Sequence, residues 1–83
     1  MEFNQVSSVP LKNDLDSPKI TLYSHDRVII ENYRGIVLYS DETIEINTKD
    51  HLIKLTGQNL SIKYMIKEET EITGDIQKIE LLK

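Results

Sequence analysis

"KITLYSHDRVIIENYRGIVLYSDETIEINT", residues 19–48, decides the fold class. In "KITLYS" (19–24) and "TIEINT" (43–48) apolar and polar side chains alternate with the period of two that gives a strand one buried and one wet face. Between them lie two short apolar runs, "RVIIE" (27–31) and "IVLYS" (36–40), rich in the branched and aromatic residues that fit a pleated surface. Ser24 to Asp26, Asn32 to Gly35 and Ser40 to Glu42 supply the turn chemistry that separates the runs. None of these intervals is long enough for a crossover helix, so neighbouring strands are expected to pair antiparallel.

Toward the C-terminus the same texture continues through "HLIKLT" (51–56), "LSIKYMI" (60–66), "ETEIT" (69–73) and "IQKIELL" (76–82). The reading is an all-β domain, a small antiparallel roll or sandwich of about eight short strands. Alternation assigns Ile20, Leu22, Ile44, Ile46, Ile53, Leu55, Leu60, Ile62, Tyr64 and Ile66 to the inner face. Thr21, Glu45, Asn47, Lys54, Ser61 and Lys63 take the outer one. "KLTGQNLSIKY" and "EITGDIQKIEL" echo each other, with Gly57 and Gly74 separated by 17 positions and an isoleucine five residues after each. Two hairpin turns of one type would produce that echo, and so would two coils of a short β-solenoid, which stays as the alternative architecture.

The 27–40 pair departs from simple alternation. Ile29 stands beside Val28 and Ile30, and Val37 and Tyr39 beside Ile36 and Leu38, so a hairpin formed by these strands is apolar on both faces. Such a hairpin either runs through the interior or presents one face to another molecule. In "NYRG", Asn32 suits the first position of a type I turn and Gly35 the left-handed residue that completes a bulged hairpin. Turn geometry leaves Tyr33 and Arg34 unexplained, and both types are favoured in binding hot spots. Ile29, Tyr33, Arg34, Val37 and Tyr39 are the candidate partner contacts.

Residues 1–18 are expected to be a separate N-terminal arm, a short helix or a flexible segment, with Phe3, Val6 and Val9 at helical spacing before Pro10, and 19–83 the single β-domain. A chain of 83 residues buries only about 60–65% of its unfolded surface, so its stability margin is thin. Fourteen acidic against ten basic residues give a net charge of −4, which disfavours nucleic acid and anionic membranes. No apolar stretch approaches the ~20 residues of a membrane-spanning helix, so direct insertion is not expected. The absence of cysteine removes disulfides and thiolate metal sites and permits a reducing compartment.

Catalytic spacing is missing. "SHD" at 24–26 holds the residue types of a hydrolase triad, but a triad converges from separated chain positions and adjacent residues diverge. His25 and His51 have no metal-binding spacing, and the glutamates 68, 69 and 71 read as a solvated acidic turn rather than a Ca²⁺ loop. Gly35, Gly57 and Gly74 belong to no phosphate-cradling motif. The expectation is a non-enzyme with no cofactor and no metal.

With these residues in view, "PKITL" (18–22), "IENYRGIVLYSD" (30–41), "IEINT" (44–48), "LTGQNLSIK" (55–63) and "ITGDIQKIE" (72–80) resemble the YabP/YqfC family of sporulation proteins, and most closely its YqfC branch. The resemblance covers residues 18–83; it departs at Tyr33, where the family pattern has histidine, and at Lys49 and Asp50, where it has glycine. It implies a cytoplasmic protein of the mother cell during endospore formation, peripheral to the forespore membrane through a membrane-anchored protein partner, acting in spore-envelope assembly without a known catalytic activity. Two alternatives stand beside this interaction module: a structural homo-oligomer assembled through the sheet edges 19–24 or 76–82, and a regulatory domain that binds a small ligand or metal.

Overall fold

A computed structural model describes residues 17–83, and the expected helix or arm of residues 1–18 falls mostly outside them. Six strands follow in order: β1 Lys19–Tyr23, β2 Arg27–Glu31, β3 Tyr33–Tyr39, β4 Thr43–Thr48, β5 Leu52–Ile66 and β6 Glu69–Leu82. They form one antiparallel sheet in the order β1-β2-β6-β5-β4-β3. The all-β antiparallel reading holds, and the antiparallel pairing throughout removes the solenoid. The strand number falls from eight to six because 51–56 joins 60–66 in β5 and 69–73 joins 76–82 in β6. The glycines read as turns lie inside continuous strands, since an extended glycine can stay in a ladder where the sheet bends.

β5 and β6 make one long hairpin, from Leu52 opposite Leu82 to Ile66 opposite Glu69. Each end of it is widened on a different side. β2 pairs with residues 69–73 of β6 and carries β1 outside it, whereas β4 pairs with residues 52–56 of β5 and carries β3. The sheet therefore has two halves that share only the long hairpin. Val28, Ile30 and Ile72 from one half and Ile44, Ile46, Ile53 and Leu55 from the other are fully buried in a single cluster. A single-layered sheet exposes both faces, so complete burial on one face means that the halves fold over and cover each other.

The two halves are near copies. Leu22-Tyr23-Ser24 precedes β2 as Leu38-Tyr39-Ser40 precedes β4, 16 positions later, and Val28 and Ile30 correspond to Ile44 and Ile46. The β1–β2 turn accepts hydrogen bonds at Asp26 O from Gly74 N (3.2 Å) and at His25 O from Ile76 N (2.8 Å). The β3–β4 turn accepts them at Glu42 O from Gly57 N (3.0 Å) and at Asp41 O from Leu60 N (2.8 Å). This is the structural content of the echo: "LTG" and "ITG" mark the two places where a long strand receives the turn of its own half. "SHD" is one of those docked turns, with Ser24 in the left-handed region at φ 57°.

The 27–40 hairpin does not exist. β2 and β3 belong to different halves, β2 as an inner strand and β3 as the outermost one, so the adjacent apolar runs never pair. Asn32 alone links them, with φ 63°, and is the left-handed residue that Gly35 was expected to be. Gly35 lies within β3, opposite Asn47. The face assignment also breaks at Lys63, where a bulge puts Tyr64 opposite Glu71 and Ile66 opposite Glu69, on the outer face.

A Cβ on Gly57 would stand 2.0 Å from Asp75 O, and one on Gly74 2.5 Å from Asn59 O at φ 134°, whereas Gly35 has open space. Gly57→Ala and Gly74→Ala are each expected to lose about 3 kcal/mol or more of stability by forcing two backbones apart. Gly35→Ala should lie between neutral and a gain of about 1 kcal/mol, because alanine is the better strand residue there. Denaturant unfolding of the three variants checks the contrast.

Candidate functional site

The crossing from β2 to β3 is held at the tip of the long hairpin. Asn32 N donates to Glu68 O (2.7 Å), its Nδ2 donates to Ser17 O (2.8 Å), and the Tyr33 hydroxyl donates to Ile66 O (2.8 Å) while its ring packs against the core. Asparagine tolerates the left-handed conformation because its short side chain bonds locally. Tyr33 is therefore a strand residue that latches one half of the sheet to the other.

Beyond Tyr33, β3 is an edge strand interrupted twice. Arg34 is the extra residue between the Tyr33/Thr48 and Gly35/Asn47 pairs, and Val37 the extra residue between Ile36/Ile46 and Leu38/Glu45. Bulges at an edge re-aim side chains and spoil the ladder for an incoming strand. Here they leave Val37, Leu38 and Tyr39 consecutive and 59%, 45% and 55% exposed, with Arg34 exposed at the other end of the strand. Ile36 between them turns inward onto the core. Of the five sequence candidates, Tyr33, Arg34, Val37 and Tyr39 thus share one edge strand. Ile29 is half-buried on the outer face of the other half, opposite Thr21 and Glu71. Leu38 was missed, because alternation from Ile36 places it inside until the Val37 bulge is known.

The outer face around Ile29 carries a polar group that no sequence motif marks. Arg27 stacks over Tyr23, 4.2 Å from the ring centroid, and pairs with the largely buried Glu71 at 3.8 Å. Tyr64 donates its hydroxyl hydrogen bond to Glu69. That bond, together with partial burial and the negative charges of Glu69 and Glu71, pushes the Tyr64 hydroxyl up to about 12 against the lowering effect of Arg27. These groups tie four strands together across one face. At the opposite end, His25 Nδ1 lies 3.5 Å from Asp75 Oδ1 in an exposed pair. Thr48 organises the β4–β5 turn, its hydroxyl donating to His51 O (2.7 Å) and accepting from His51 N (2.9 Å). Among the described residues, no three His, Cys, Asp or Glu side chains are grouped to hold a metal, and no helix is long and apolar enough to cross a membrane.

The family model described as the YabP family matches residues 14–83. An uncharacterized protein, YqfC, of Bacillus subtilis strain 168 is 31% identical over 65 residues, which span 78% of this chain and 70% of that relative. No solved structure matches.

Because the folded-state value of Tyr64 lies above the ordinary 10.0, the hydroxyl form is favoured by folding. Its contribution to stability is fully present below pH 10 and is lost as the pH rises from there through about 12. Ultraviolet titration of phenolate formation should show Tyr64 as a late tyrosine, ionising only at about pH 12, and Glu69→Gln should lower that midpoint. A late tyrosine that persists in Glu69→Gln would assign the shift to another cause.

Proposed function

The chain belongs to the YabP family, and from that membership we propose that it is a non-enzymatic interaction module of endospore formation that acts in spore-envelope assembly with a membrane-anchored protein. It works in the mother-cell cytoplasm, peripheral to the forespore membrane through that partner. Family membership supports the process, and the exposed β3 edge supports the mode of action.

One observation carries the interaction reading: the bulged β3 edge holds Val37, Leu38 and Tyr39 out in consecutive exposed positions, whereas Val28, Ile30, Ile44 and Ile46 of the inner strands are fully buried. Single exposed apolar residues need no explanation, but a run of three on a strand that the fold takes care to bulge does. A bulged edge discourages indiscriminate strand addition, so it favours side-chain recognition by a shaped partner surface. Arg34, exposed on the same strand, adds a charged anchor at the rim.

Photo-crosslinking from single β3 positions tests this in sporulating cells. A crosslinkable residue at Val37 or Tyr39 should capture one membrane-anchored protein, and the same residue at exposed Gln58 should not. Val37→Glu should change stability by about 0.5 kcal/mol or less, being exposed, and still abolish the capture. Equal capture from all three positions, or capture that survives Val37→Glu, defeats the reading.

A further inference from the structure

The second half-sheet ends on a different kind of edge. Residues 75–82 of β6 have β5 on one side, and after Ile76 N reaches the β1–β2 turn, no strand among the described residues pairs with the other side. From Lys78 to Leu82 the register with β5 is unbroken: Lys78 opposite Thr56, Ile79 opposite Leu55, Glu80 opposite Lys54, Leu81 opposite Ile53 and Leu82 opposite Leu52. The ladder is regular over these five residues, no strand among the described residues lies on its outward side, and Leu81 and Leu82 remain 55% and 38% exposed on it.

We propose that this edge pairs antiparallel with the same edge of a second copy of the chain, about a two-fold axis at Ile79, to give an isologous dimer with one continuous eight-stranded sheet. The occupant is selected by charge. Antiparallel self-pairing centred on Ile79 sets Lys78 opposite Glu80 of the second copy and Glu80 opposite its Lys78, both on the outer face, with the two Ile79 side chains meeting on the inner one. Each copy's Glu80 then lies between its own Lys54 and the neighbouring Lys78, so opposite charges alternate across the junction. Among the described residues, Lys78 Nζ pairs within its own chain with Glu80 Oε2, at 3.5 Å, an i+2 contact. Leu81 comes to lie opposite Gln77, the extra residue between the Thr56/Lys78 and Gly57/Ile76 pairs, where the paired segment ends, and this covers part of its exposed surface.

Among the described residues, the other three open edges lack this self-complementarity. β3 is broken at Arg34 and Val37, and residues 61–66 of β5 are broken at Lys63. β1 is unbroken, but self-pairing about Thr21 puts Lys19 opposite Tyr23, whose ring Arg27 already covers. An edge of five residues makes a small interface, so the dimer is a weak one. It uses a surface separate from β3 and stands independently of the partner proposed above.

Sedimentation velocity of the full chain across about 5 µM to 1 mM, spanning the range of weak association, tests the dimer. The sedimentation coefficient should rise toward that of a dimer, and hydrogen exchange at residues 78–82 should slow with concentration. Lys78→Glu and Glu80→Lys each place like charges opposite one another and should each weaken self-association by about tenfold or more. Mixing the two variants restores opposite charges and should recover association. Both sites are on the surface, and thermal unfolding at low concentration verifies that each variant is folded. A monomer throughout the range overturns the proposal, as does a dimer indifferent to either single reversal, or a mixture that associates no better than its components.

Discussion

The rest of this structure depends on the contact between two stretches of backbone: Gly57 of β5 against the Asp75 carbonyl, and Gly74 of β6 against the Asn59 carbonyl. At these points the long hairpin passes so close to itself that no side chain fits. The register shifts just before Gly57 and between Gln58 and Ser61 mark where the ladder bends. Without the bend the two halves of the sheet would continue in one layer and each apolar face would meet water. With it, the isoleucines of β2 and β4 enter a common core. For a domain of 83 residues, whose buried fraction is small to begin with, that closure is the difference between a marginal sheet and a folded protein.

The same two glycines give their backbone N–H groups to the turns of the two outer hairpins, so bending the hairpin and docking its flanks are one event. The arrangement is close to two-fold symmetric, and the exposed apolar residues inherit the symmetry. Leu22 and Tyr23 answer to Leu38 and Tyr39, and Met65 and Ile66 to Leu81 and Leu82, each pair 16 positions apart. Four sheet edges therefore begin as near equivalents. Bulges then differentiate them: Arg34 and Val37 disrupt β3 and Lys63 disrupts the end of β5, while β6 keeps an unbroken ladder from Lys78 to Leu82. Two of the four carry the proposals made for this protein, one by presenting side chains and the other by presenting backbone.

Several features were legible from the residues alone. The alternation in "KITLYS", "TIEINT" and "HLIKLT" placed Ile44, Ile46, Ile53 and Leu55 inside, where they are fully buried. Short turns predicted antiparallel pairing, and the glycine echo pointed to a repeated structural unit. What failed did so for identifiable reasons. Chain proximity suggested that 27–31 pairs with 36–40, but a single left-handed asparagine can send consecutive strands to opposite halves, and nothing local distinguishes that from a hairpin. Tyr64 and Ile66 were put on the wrong face because a bulge adds one residue without changing composition, and one residue inverts everything after it.

The sequence by itself determined the all-β class and the inner residues of the regular strands, because these follow from side-chain period. Tertiary structure alone decided which strands are neighbours, that Tyr33 is a latch rather than a hairpin tip, and which edges stay open. Those outcomes depend on contacts between residues far apart in the chain, such as Tyr33 with Ile66 and Gly57 with Asp75, and no window of local sequence contains both partners.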